Sequence, residues 1–127
     1  MPGKHVFEYA VVRVVPRVER EEFMNVGVIL FCKELNFLQA IITVDEQRLC
    51  CFTNRDDIQE IKDNLYAFDQ ICQGGPEGGP IGKLDEASRF RWLTATRSTV
   101  VQASKVHPGL CIDPFKTLLK LHGQLVL

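Results

Sequence analysis

Apolar and polar residues alternate from Val6 to Val15, with Tyr9, Val11, Arg13 and Val15 on one side and Ala10, Val12 and Val14 on the other. This period of two is the signature of a strand, and Arg13 interrupts one of its faces. Pro16 ends the run, Arg17 to Glu22 make a polar connection, and Met24 to Cys32 predicts a second strand containing Gly27. After a polar turn at Lys33 to Asn36, Phe37 to Val44 resumes the apolar pattern. Connections this short cannot make a parallel crossover, so the three strands are expected as an antiparallel meander.

The period then changes. Ile58, Ile61, Leu65, Phe68 and Cys72 recur at helical spacing, predicting a helix from Asp56 to about Cys72 with Thr53 or Asn54 as its cap. Residues 73–83 are so rich in glycine and proline that they read as a flexible loop without regular structure. A short helix is expected over Asp85 to Leu93 and a fourth strand over Ser98 to Ala103. Asp113 followed by Pro114 gives an N-cap and a first-turn proline for a last amphipathic helix that carries Phe115, Leu118, Leu119 and His122 on one face. Early strands and late helices predict one α+β domain over 1–127: an antiparallel meander sheet with helices packed on one face.

The composition excludes several classes. A hydrophobic content of 46% with 24% charged residues argues against disorder. A net charge of −1 lacks the cationic excess with which a domain displaces counterions from phosphate, so a nucleic-acid partner is disfavoured. Neither a secretory signal nor an apolar run long enough to span a membrane is present, which predicts a cytoplasmic protein without a membrane partner. Cys32, Cys50, Cys51, Cys72 and Cys111 form an odd set with no Cys-x-x-Cys pair, and reduced, buried thiols are the favoured reading. The chain predicts no metal site and no cofactor.

Chemistry is sparse. Gly78 and Gly82 are one residue too close for a phosphate loop, and Leu84 stands where magnesium would need a hydroxyl. His5, His107 and His122 have no close spacing for metal binding. His107, in a His-Pro-Gly turn, can titrate near neutral pH, yet the sequence offers no nucleophile for it to activate. The constellation that remains is Arg13, Arg17, Arg91 and Arg97, with Asn25 at an irregular strand position. Guanidinium groups match carboxylate or phosphate bidentately, so these residues with His107 are the candidate anion or partner-binding set; no catalytic residue is assigned. Structural salt bridges to Glu8, Glu19, Glu21, Glu22 or Asp85 are the commoner use of such arginines. Trp92 reads as a core or interface anchor.

Tyr9-Ala-Val-Val-Arg-Val-Val-Pro16, Phe23-Met-Asn-Val-Gly-Val-Ile-Leu-Phe-Cys32, Arg89-Phe-Arg-Trp-Leu93 and Val106-His-Pro-Gly-Leu110 together resemble the bacterial domain-of-unknown-function family numbered 3037. The resemblance covers nearly the whole chain and implies a stand-alone protein without an assigned activity. Some members are encoded beside a kinase-like protein resembling the toxin half of toxin–antitoxin pairs, which implies a kinase-like partner and a regulatory role. The expected function is an interaction or regulatory module with an arginine-rich recognition surface. The alternative is an enzyme or binding protein for a phosphorylated or nucleotide ligand. The apolar end Leu125-Val126-Leu127 serves either as a homodimer contact or as closure of the core.

Overall fold

Three strands, β1 (His5–Val14), β2 (Met24–Cys32) and β3 (Phe37–Ile42), form the expected meander in a computed structural model that describes residues 3–16, 22–53, 55–95 and 99–127. The sheet order is β3-β2-β1, and the far side of β1 is shared by two short strands. β4 (Val101–Ala103) runs antiparallel to Val12–Val14, and β5 (His107–Cys111) antiparallel to His5–Tyr9. Between them Ser104 fills the gap. Its hydroxyl accepts from Val11 N at 2.8 Å and its own N–H donates to Val11 O at 2.8 Å, so β1 loses no backbone bond where its neighbours change.

β5 corrects the expectation of a His-Pro-Gly turn. Proline is tolerated because β5 is an edge strand, where a missing N–H can face outward. Gly109 is required by packing: a Cβ there would lie 2.6 Å from Phe7 Cζ.

Among the described residues, five helices follow the meander or end the chain: α1 (Glu46–Phe52), α2 (Arg55–Gln73), α3 (Gly79–Gly82), α4 (Glu86–Thr94) and α5 (Pro114–Leu125). α1 has no counterpart in the sequence reading. It is capped by Asp45, whose carboxylate accepts from Arg48 N, and Thr53 ends it as C-cap in place of starting α2. The alternative cap Asn54 lies outside the described residues. α4 and α5 start at their expected caps, Asp85 accepting from Ser88 N and Asp113 from Phe115 N and Lys116 N. The glycine and proline segment is not irregular: Pro76–Gly78 forms a 3-10 turn and Gly79–Gly82 a short helix. Pro76 and Pro80 occupy first-turn positions, where the absent N–H costs nothing, and Gly75 N–H bonds to Gly82 O at 2.8 Å.

The α+β class, with helices packed against an antiparallel sheet, is as the sequence predicts. The distribution is fuller than expected, because the sheet is covered on both faces. Ala10, Val12, Val14, Ile29 and Phe31 meet α1, α2 and α4 through Leu49, Ile61, Leu65, Phe90 and Leu93. Phe7, Val28, Leu30, Cys32 and Cys111 meet α5 through Leu118, with Val126 just beyond it. Val126 therefore closes the core, whereas Leu127 is exposed. No helix among the described residues is long and apolar enough to cross a membrane.

Gly27 marks the closest approach of β3 to β2, since a Cβ would stand 2.7 Å from Ile41 O. Gly27→Ala is expected to lower unfolding stability by about 1–3 kcal/mol through overpacking. Urea denaturation checks this, and an unchanged midpoint would contradict the close approach.

Candidate functional site

Register between β1 and β2 shifts once. Val12 stands opposite Gly27, but Arg13 stands opposite Asn25, so Val26 is an extra residue on β2. Such a bulge re-aims the residues beyond it. Val26 and Met24 both pack into the core under α1, α2 and α4, and Asn25 is turned to the α5 face. There its Nδ2 donates to Leu125 O at 3.1 Å, satisfying one of the carbonyls that a helix C-terminus leaves open.

Arg13 lies beside it on the same face, and its guanidinium carbon sits 4.2 Å above the centroid of Phe23. Phe23 is 48% exposed, and Arg13 is partly buried. Arg13 Nε and Asn25 Oδ1 are buried, and neither has a hydrogen-bond partner among the described residues. A donor and an acceptor thus stand unsatisfied on neighbouring strands, a combination that folded proteins rarely leave without a use.

The remaining candidates divide. Arg17 and Arg97 lie outside the described residues, as do Glu19 and Glu21. Arg91 is exposed on α4, which packs on the opposite face of the sheet, so it is not brought to Arg13. His107 shares the face of Arg13 and stacks on Tyr9 with ring centroids 5.3 Å apart. Tyr9 is four residues from Arg13 along β1, about 13 Å at strand spacing, too far for both to hold one small anion. His107 therefore supports Tyr9 at the other end of the strand.

Where both partners are described residues, His5 contacts Glu34 and Lys62 pairs with Glu46. Asp85 is held below the usual carboxylate range by hydrogen bonds from Ser88, with Arg91 and Arg89 adding a weaker pull. Arg89 is structural: its Nη1 donates to Leu84 O at 2.8 Å while its guanidinium covers Gly74.

One feature was missed from the sequence. Phe23 precedes β2 by one residue, and its role follows only from the hairpin that sets it beside Arg13. Thr43 Oγ1 and His122 Nε2 form a 2.8 Å hydrogen bond, which accounts for a histidine only 8% exposed on α5. Trp92, partly exposed, lines a groove of about 420 Å³ with Phe68, Val100 and Val101.

Thiol chemistry separates by burial. Cys50 and Cys51 are exposed on α1, which corrects the expectation of buried thiols, whereas Cys32, Cys72 and Cys111 are buried. Burial pushes the Cys72 thiol up to about 12, and Asp69 adds to the shift. Cys111 is also raised, first by burial and then by neighbouring Cys32.

The family described as protein of unknown function (DUF3037) matches residues 9–126. No curated protein and no solved structure matches the chain.

Native protein treated with a thiol reagent near neutral pH is expected to react quickly at Cys50 and Cys51 alone, with the other three following only on unfolding. Fast labelling of Cys72 would contradict its burial. The linkage has one sign: the Cys72 thiol ionises from its ordinary value of 9.0 when unfolded and only near about 12 when folded. Its contribution to stability is intact below pH 9 and declines toward pH 12, as the unfolded chain alone releases the proton. Comparing denaturation of wild type and Cys72→Ala across that range checks the slope.

Proposed function

Taking as premise that the chain belongs to the DUF3037 family, we propose that it acts as an interaction module whose recognition surface is centred on Arg13, Phe23 and Asn25. The observation that carries this reading is the guanidinium of Arg13 resting on a half-exposed ring with its Nε unsatisfied beside the unsatisfied Oδ1 of Asn25. Stacking on Phe23 holds the guanidinium plane, so less side-chain entropy is lost when a partner engages it. The Nη edge of that plane matches a carboxylate and suits an acidic segment of a partner protein. Arginine and aromatic side chains at the centre of a contact are the residues that most often dominate binding energy.

Purification of the tagged chain from its native host is expected to recover a stoichiometric partner. Arg13→Ala should weaken that complex by about tenfold or more while leaving thermal unfolding close to wild type, and Arg13→Lys should restore only part of the affinity. Recovery of the chain alone would overturn the reading. A saturable thermal shift with nucleotides or phosphorylated metabolites, lost in Arg13→Ala, would replace it with a small-ligand function.

A further inference from the structure

The third strand pairs with β2 on one side, and no described strand pairs with its other side. Which backbone groups are left over follows from one bond. Thr43 N–H donates to Val26 O at 2.7 Å, in the same register that places Ile42 opposite Gly27. Bonded and non-bonded pairs alternate along an antiparallel ladder, so Phe37, Gln39 and Ile41 direct their N–H and C=O toward β2. Leu38, Ala40 and Ile42 direct theirs outward.

This edge has none of the usual protections against pairing. Phe37-Leu-Gln-Ala-Ile-Ile42 contains no charge and no proline, and its register with β2 has no bulge. The opposite edge of the sheet has several: Pro108 in β5, the break at Ser104 to Val106 between β4 and β5, and Lys105 within that break. The difference between the two edges is the motive for a role. Beside β3, shallow grooves of about 380 and 470 Å³ separate the strand from α2, and Tyr66, 64% exposed, stands over the second.

We propose that the outer edge of β3 binds a second copy of this chain, antiparallel, so that two sheets continue into one. A two-fold axis at Ala40 sets Leu38 opposite Ile42 of the second copy and Ala40 opposite its counterpart. Every outward N–H and C=O of the three residues then finds a partner, and this self-matching is what an isologous contact requires. Charge favours the same occupant. An uncharged strand meets its own copy without repulsion. On the flank of α2, Lys62 lies toward Ile42 and Asp69 reaches toward Leu38. Antiparallel arrival therefore turns the second copy's Asp69 end toward the Lys62 end, where Lys62 already pairs with Glu46.

Light scattering of the full chain over a concentration series tests this. Wild type is expected to reach twice the chain mass by about 100 μM, with association at least about tenfold weaker in Gln39→Lys and in Ala40→Pro. Gln39 is exposed, so its lysine variant places a charge on the edge without disturbing the core. Proline at position 40 removes an outward N–H that the intrachain ladder does not use. Should the proline variant fail to fold, the lysine variant decides. Hydrogen exchange at Leu38, Ala40 and Ile42 should slow as concentration rises. Wild type monomeric at about 100 μM, a dimer of undiminished affinity in Gln39→Lys, or concentration-independent exchange at those amides would each overturn the proposal.

Discussion

Every other strand takes its position from β1 or from a strand that β1 has already placed. It is paired along one side by β2 and along the other by β4, Ser104 and β5 in succession. A strand enclosed in this way cannot leave backbone groups open, so each neighbour must match its ladder or supply a substitute. Ser104 is one substitute. The extra residue Val26 is another solution to the same constraint: β2 keeps pairing with β1 to its end, but the faces of its last residues are exchanged. With that exchange Asn25 reaches the end of α5, and Arg13 acquires a polar neighbour across the strand. Without it, Asn25 would face Leu49 and Ile58 in an apolar core, where an unpaired amide costs more than one hydrogen bond returns.

Burial on two faces explains the unequal chemistry of the side chains. Burial raises the Cys72 and Cys111 thiols, and the ring of His122 is engaged by Thr43. Arg13 differs because an aromatic ring, not a carboxylate, is its described companion. Such a ring contributes modestly, about 0.5–1 kcal/mol at exposed positions, and does not neutralise the charge. The same sheet has a second open feature at the outer edge of β3, two strands across from β1, where Ile42 lies level with Gly27 and Val12.

Where residues spoke through periodicity or caps, the sequence predicted well. β2 begins at Met24 and ends at Cys32 as the apolar run does, and Asp85 and Asp113 cap the helices they were expected to start. The failures share a cause. β5 exists because β1 has unpaired groups from His5 to Tyr9, a demand made far away in the chain that overrides the turn character of His-Pro-Gly. α1 is too short for its period to show, and the helical turns at Pro76 and Pro80 depend on packing against α2. For the site, Arg13 and Asn25 could be singled out because each breaks a pattern. Their adjacency depends on a one-residue register shift that no local signal reveals, and Phe23 is an ordinary residue until that pairing is known.

The account rests on the face that Asn25 and Arg13 occupy. A nitrogen-edited nuclear Overhauser experiment reads it directly. The predicted result is cross-peaks from the Asn25 side-chain amide to protons of Leu125 and Val126, together with cross-peaks from the Arg13 side chain to the Phe23 ring. Cross-peaks from the Asn25 amide to Leu49 or Ile58 instead would place it on the opposite face and contradict the bulge on which the site depends.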